Sequence, residues 1–373
     1  MKIVRIEPKP VSVPLTRTDP PQLWGPEWSV QMPLILHTDT ELKGVGDVFI
    51  SAADQSSYAG YAETFSKLLR DTDPTEINKI HIILEKASFT AGRGGVVSAV
   101  LSGIDIALHD LNAKKLGVPV YELLGGKVRD KLELYASYAR YSNAEDVYRV
   151  TQKCLESGFK AIKLHQPPSN VLDSVKKVRE LGYDFKLMID LNCTMTLTGA
   201  IRLLQKLERF ELEWVEEPIW PPENHGALGE LSSYTGIPIA AGENEYTLAG
   251  FESLAKTGKV KILQPDIAKV GGFTTMRKIA AIAECLGPIL IPHCRPQSLW
   301  ITILATAHLA STLPWEPLLE VSPTPPEQSP FLEPLRIEKG FLYLPGNNGL
   351  GVKSDGWFDS FPPVVARPPR FHD

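Results

Sequence analysis

KAIKLH (160–165), KLMIDLN (186–192), LEWVEEP (212–218), PIAAGEN (238–244), VKILQPD (260–266), PILIPH (288–293) and PLLEVS (317–322) form a series of short apolar runs ending in ionisable residues. The polar side chains at their ends are Lys163 and His165, Asp190 and Asn192, Glu216 and Glu217, Glu243, Asp266, His293 and Glu320. From Lys163 to Glu320 the spacings are 27, 26, 27, 23, 27 and 27 residues. That recurrence is the length of one strand, one crossover helix and two short loops. Polar residues at the carboxyl ends of successive parallel strands point into one mouth, where barrel enzymes keep their chemistry.

Helical patterns fill the gaps, near 144–157, 170–182, 197–209, 226–235, 248–257, 273–286 and 297–312, and a further strand at 132–137 precedes the series. Eight alternating strand and helix units with one polar mouth predict an α/β fold, a modified (β/α)8 TIM-like barrel over residues 126–334. The preceding chain reads as an α+β capping domain over residues 1–125. It comprises one strand at 1–15, a hairpin at 30–50 turning through Asp39-Thr40, and helices near 55–70, 74–88 and 94–116. Residues 335–373 are expected to return to it across a Pro-rich connection. In TRTDPPQLWGPEWS (16–29), Trp24 and Trp28 fit either a lid over substrate or a packed loop anchor.

Composition narrows the class. A chain of 373 residues with 43% hydrophobic and 22% charged residues is long enough for a barrel plus a smaller domain. A net charge of −5 gives no electrostatic reason to expect nucleic acid or an anionic membrane as partner. No continuous apolar run approaches the ~20 residues needed to span a bilayer. The start, MKIVRIEPKPVSVPL, lacks the apolar core and cleavage site of a signal peptide. Cys154, Cys193, Cys285 and Cys294 show no C-x-x-C spacing, so a reduced, cytoplasmic protein is the simplest expectation.

Asp190, Glu216 and Glu243 end three consecutive strands. Carboxylates converging there repel unless a cation sits among them, and all-oxygen ligation selects a hard ion. Mg²⁺ is the expected cofactor and Mn²⁺ the alternative; the plainer reading is three rim acids paired with lysines. Adjacent residues of a strand face opposite sides, so only one of Glu216 and Glu217 looks inward. Lys163 and His165 share a strand face, and Asp266 with His293 forms a carboxylate–imidazole dyad on neighbouring strands. Glu320, if protonated, can hydrogen-bond a developing oxyanion. The plainer readings are a salt-bridged Lys163 and a packed His293. Lys269 reads as a rim ion-pair partner, and Cys193 and Cys294 as packing.

At these residues the chain resembles the mandelate racemase/muconate lactonizing enzyme family of the enolase superfamily, over essentially its whole length. SGIDIALHDLNAKKLGVPVYELLGG (102–126) is similar to the family's capping-domain motif, with His109 where a Trp is usual, and GVGDVF (44–49) resembles its G-x-G-E segment with Asp47 in place of Glu. The resemblance implies a capping domain built from both termini, a homo-oligomer, and Mg²⁺ on Asp190, Glu216 and Glu243. Asp266 stands where muconate-type members carry a lysine, which makes the chain similar to the mandelate racemase branch. Glu320 matches that branch's eighth-strand glutamate. The family's second-strand K-x-K is K-x-H here: Lys163 matches the lysine on the substrate carboxylate, and His165 replaces the base, either as a base itself or on an inactive face.

The implied reaction is Mg²⁺-dependent removal of the α-proton of a carboxylate through an enediolate, with dehydration of a sugar acid as the first expectation. Asn192, Arg295 and Trp24 are candidate substrate contacts. The alternatives are a racemase or epimerase, a lactone cycloisomerase, a Schiff-base lyase using Lys163, and a non-catalytic barrel.

Overall fold

The computed structural model describes residues 1–14, 20, 28–50, 55–296, 298–323, 329–354 and 356–364 of the 373. Its first unit is a sheet of β1 (Ile3–Pro8), β2 (Val11–Pro14), β3 (Trp28–Thr38) and β4 (Lys43–Val48), backed by α1 (Gln55–Leu69), α2 (Ile77–Ser88) and α3 (Gly95–Leu116). The single strand expected at 1–15 is interrupted at Lys9-Pro10, although its register against β3 is continuous: Pro8 faces Leu34 and Val11 faces Gln31. Lys9 N still donates to the Pro33 carbonyl at 2.8 Å, but neither Pro33 nor Pro10 has an N–H to return, so the ladder thins while the path continues.

α3 is apolar nearly all round and buried on most sides, as a helix without a solvent face must be. By length and composition it could cross a membrane, which the sequence reading overlooked because polar residues interrupt it; here it is a core helix. It lies against β4 through glycines on both elements. A Cβ on Gly46 would fall 1.9 Å from the Gly103 carbonyl oxygen, and one on Gly103 would fall 2.6 Å from Val48 Cγ2. At Gly46 backbone therefore touches backbone, with no side chain there to yield. Gly46→Ala is expected to destabilise the protein by about 1–3 kcal/mol or more through overpacking, read as a lowered thermal midpoint. An unchanged midpoint would contradict this packing.

After the one-turn α4 (Val120–Leu123) comes the barrel. Its strands are β5 (Lys131–Tyr138), β6 (Ala161–Leu164), β7 (Lys186–Asp190), β8 (Trp214–Glu216), β9 (Ile239–Ala241), β10 (Ile262–Leu263), β11 (Ile289–Leu290) and β12 (Leu319–Val321). Helices α5 (Ala144–Glu156), α6 (Val171–Val178), α7 (Leu197–Leu207), α8 (His225–Leu231), α9 (Leu248–Lys256), α10 (Gly272–Leu286) and α11 (Ile301–Ala310) alternate with them. All seven fall where the sequence places helices. Parallel ladders run from β5 to β11, and β12 closes on β5; among the described residues no ladder joins β11 to β12.

Tyr135, Ala161, Met188, Trp214, Ala240, Ile262, Ile291 and Leu318 form a closed apolar layer inside the barrel. Large and small side chains share this layer, with Tyr135 and Trp214 edge to face, so the barrel is filled and the polar mouth has a solid floor.

The tail expected to return to the capping domain does so in two places: at Leu350, whose N–H donates to Asp110 of α3 at 2.8 Å, and in the last described stretch. The hairpin β13 (Ile337–Glu338) and β14 (Phe341–Tyr343) instead pairs antiparallel with the start of β5. Only beyond it does the chain reach the first sheet, where Ser12 N donates to the Pro362 carbonyl and Lys9 pairs with Asp359. β5 is longer than the other barrel strands and its first residues extend below the ring, an edge that the hairpin covers.

Candidate active site

In-register ladders bring the chemistry together. Asp190 faces Glu216 across β7 and β8, and an isolated parallel bridge joins Asp266 to His293. Glu243 follows Gly242, whose φ of 135° places its backbone against Phe251 and the Gln264 amide, where a Cβ would come within 3.0 Å of that nitrogen. Carboxylate oxygens of Asp190, Glu216 and Glu243 lie within 4.8 Å of one another. Three carboxylates at that separation, two of them fully enclosed, suit a hard divalent cation. They are the residues that would hold Mg²⁺.

Each acid has fixed partners. Asn192 N donates to Asp190 Oδ1 at 2.8 Å. Glu216 accepts from Gln264 Nε2 at 2.8 Å, from Trp214 Nε1 at 3.3 Å and from Lys163 Nζ at 2.9 Å. Lys269 donates to the Glu243 carboxylate at 3.2 Å and to its carbonyl at 3.1 Å, so the rim lysine of the sequence reading sits on a candidate metal ligand. Burial raises the Glu216 carboxyl against the opposing charge of Lys163, and it rests at about 7. Burial acts the same way on Glu243, but His293 and Lys269 outweigh it and hold that group well below the usual carboxylate range.

Lys163 is completely buried and lies 2.8 Å from Glu320 and 3.8 Å from Asp190, besides its bond to Glu216. Burial opposes its charge, but Glu216 and Glu320 reverse that effect and raise it well above the usual lysine value. A lysine clamped between two buried carboxylates is a poor nucleophile, which speaks against the Schiff-base reading. Glu320 changes its expected role. Burial favours its acid form, yet Lys163 and His293 bring it below the ordinary value, and it accepts from Cys294 N at 3.0 Å. It is therefore a carboxylate anchoring Lys163 rather than a protonated donor.

Two imidazoles flank the three acids, one just beyond β6 and one beyond β11. His165 Nδ1 lies 3.0 Å from the Tyr138 carbonyl, which can only accept, so Nδ1 carries the proton and Nε2 faces inward, 3.1 Å from Asp190 Oδ2. His293 Nδ1 bonds Asp266 Oδ2 at 2.7 Å, and its Nε2 lies 3.4 Å from Glu243 Oε2. Burial lowers the affinity of His293 for a proton, but Glu243 and Asp266 raise it to about 10. The dyad imidazole thus lies between two carboxylates, Asp266 and Glu243, whereas the His165 ring is held between the Tyr138 carbonyl and the Asp190 carboxylate.

The candidate substrate contacts divide. Asn192, in the left-handed region at φ 45°, keeps a buried Oδ1 with no donor among the described residues. Arg295 Nη1 instead donates to the carbonyls of Val30 and Ile50 at 3.0 and 3.3 Å, tying the loop after β11 to the capping domain. Trp24 lies outside the described residues. Phe49, the last residue of the GVGDVF segment, lies over the mouth with Lys269 Nζ 4.3 Å from its ring and its centroid 6.3 Å from that of His293. An aromatic after an apolar strand gives no signal that it caps a site.

The helix that follows Asp266 is moored to the capping domain. Ser98 Oγ donates to the Lys269 carbonyl at 2.5 Å, Gly271 N donates to Ser102 Oγ at 2.7 Å, and Thr274 N donates to Asp105 at 3.1 Å. α3 therefore fixes the segment carrying Asp266 and Lys269.

Residues 29–125 match the family described as mandelate racemase / muconate lactonizing enzyme, N-terminal domain, and residues 146–357 match enolase C-terminal domain-like. The D-galactarolactone cycloisomerase of Agrobacterium fabrum is 33% identical over 314 residues, 79% of this chain and 82% of that protein. The L-rhamnonate dehydratase of Saccharopolyspora erythraea is 30% identical over 354 residues, 91% of this chain and 86% of that protein. The crystal structure of L-talarate dehydratase from Polaromonas sp. JS666, complexed with Mg and L-glucarate, superposes with a TM-score of 0.81 at 26% identity, covering 96% of this chain and 97% of that one.

Proposed function

This chain belongs to the mandelate racemase/muconate lactonizing enzyme family of the enolase superfamily and is an enzyme, a lyase or isomerase, and from that premise we propose that it dehydrates a sugar acid. The observation that carries the reading is the pair of inward-facing Nε2 atoms, each fixed through its Nδ1, on the two flanks of the carboxylate cluster. Asp190, Glu216 and Glu243 would hold the magnesium ion, with manganese as the alternative. When bound, that ion supplies the positive charge that makes an enediolate accessible from a carboxylate whose α-proton is otherwise too weakly acidic.

The chain's own residues divide the proton work. His165, its Nδ1 fixed on the Tyr138 carbonyl, is assigned the α-proton at Nε2, the atom that Asp190 Oδ2 approaches to 3.1 Å. His293, oriented through Nδ1 by Asp266, is suited to deliver a proton from Nε2 to the departing hydroxyl. Lys163, anchored by Glu320, presents a fixed charge to the substrate carboxylate. The orphan Oδ1 of Asn192 awaits a donor, such as a substrate hydroxyl. The substrate partner is thus a small hydroxy-carboxylate.

The test is incubation with Mg²⁺ and a library of acid sugars in D₂O, followed by mass spectrometry. Loss of water from one acid with deuterium gained at C3 is the expected result. Deuterium at the α-carbon without water loss would replace the dehydratase with an epimerase. Conversion restricted to lactones would favour a cycloisomerase, the activity named for the Agrobacterium relative.

A further inference from the structure

Glu217 is the acid of the Glu216-Glu217 pair that does not face the barrel interior, and nothing in the proton-transfer scheme uses it. It is nevertheless buried, at 5% exposure, and its φ of 39° lies in the left-handed region. A non-glycine residue there costs about 1 kcal/mol or more and persists only where its surroundings impose it. Asn192 and Cys193, after β7, share that conformation at φ 45° and 56°. Strain is thus concentrated at the ends of two neighbouring strands, directly beyond Asp190 and Glu216.

The contacts show what imposes it. Glu217 Oε2 accepts from Asn244 Nδ2 at 2.7 Å and from Cys193 Sγ at 3.1 Å, and Oε1 accepts from Asn244 N at 3.2 Å. The Glu217 carbonyl accepts from Cys193 N at 2.7 Å. One carboxylate thereby joins the loop after β7, which carries Asp190, to the loop after β9, in which Asn244 directly follows Glu243. It does so from behind β8, whose last residue is Glu216. The three acids that would hold the ion sit on three separate strands and repel one another when the ion is absent.

We propose that Glu217 is a positioning residue for the metal site, a brace that locks the loops of Asp190 and Glu243 onto the strand of Glu216 and so presets the three carboxylates for a divalent cation. The inference rests on the magnesium reading above. Cys193 and Asn244 are the two arms of the brace, and the thiol serves only as a donor. Groups that orient metal ligands typically contribute 10–100-fold in affinity, in line with a preformed cage.

The experiment measures Mg²⁺ binding by calorimetry, without substrate, for wild type, Glu217→Gln, Cys193→Ala and the double variant Glu217→Gln/Asn244→Asp. Glu217→Gln turns one accepting oxygen into a donor facing the Asn244 amide, and is expected to weaken Mg²⁺ binding about 10–100-fold while far-ultraviolet circular dichroism is unchanged. Cys193→Ala removes one arm and is expected to weaken binding less. The double variant exchanges donor and acceptor at constant charge and is expected to recover most of the lost affinity, which general structural damage would not allow. Binding by Glu217→Gln within twofold of wild type would overturn the brace. If Glu217→Gln fails to fold, Cys193→Ala and the double variant decide: affinity unchanged in the first, or unrestored in the second, rejects it. A wild-type protein that binds no Mg²⁺ would instead remove the magnesium reading, and the brace with it.

Discussion

His293→Asn is expected to lower turnover by about 10²–10⁴-fold while leaving the fold and Mg²⁺ affinity near wild type. Asn is polar and smaller than His, and none of its atoms exchanges a proton near neutral pH. In the native site the ring is held from one side by Asp266 at 2.7 Å, and that carboxylate is itself pinned by Ala268 N at 2.7 Å, so the support survives the substitution. What disappears is the charged Nε2, 3.4 Å from Glu243. Because His293 is not among the three candidate ligands, Mg²⁺ titration should change little, whereas single-turnover release of water should collapse. Exchange of the α-proton with D₂O separates the two imidazoles further. If His165 is the base and His293 the acid, the variant should still exchange that proton while failing to eliminate. Wild-type turnover in the variant would sink the dyad assignment, and loss of exchange together with elimination would move the base to His293.

The barrel and most of its site were legible in the sequence because both follow from periodicity. A recurrence near 27 residues fixes strand ends, and strand ends fix which side chains share the mouth. The dyad was legible for the same reason, since Asp266 and His293 occupy matched positions on adjacent strands. What a strand period does not carry is the direction of a side chain beyond the last ladder bond. Arg295, two residues past His293, turns to the capping domain, where it donates to the Val30 and Ile50 carbonyls. Glu217 was legible only as the residue that faces away; that it grips the loops on both sides depends on left-handed turns at Asn192 and Cys193, where neither residue is a glycine that would signal them. The protonation of Glu320 was equally out of reach, because it depends on how far Lys163 reaches across the barrel.

Lys163→Met is expected to produce the largest loss of stability of any single substitution at the mouth, about 3–5 kcal/mol in the absence of divalent ions, because it removes one partner of a buried ion pair. The side chains of Lys163, Glu216 and Glu320 are all 0% exposed, so water cannot replace the missing charge, and Met fills the volume without compensating it. The pH dependence follows from the two acids. Glu216 already titrates near 7, above its ordinary 4.5, so the folded state binds that proton more tightly than the unfolded chain, and stability falls as pH rises from 4.5 through 7. Removing Lys163 raises this group further and widens the window upward. Glu320 is lowered in the wild type, so its stabilisation is present above 4.5 and fades as pH falls below it; the variant loses that contribution at neutral pH. Both shifts make the deficit greatest above pH 7 and smallest in mild acid. A cation on Asp190, Glu216 and Glu243 supplies part of the missing charge, so Mg²⁺ should raise the thermal midpoint of the variant more than that of the wild type. Denaturant titrations at pH 5 and pH 8, with and without Mg²⁺, check all of this together. A deficit that is equal at both pH values and indifferent to Mg²⁺ would mean that lost packing, rather than stranded charge, is what Lys163 prevents.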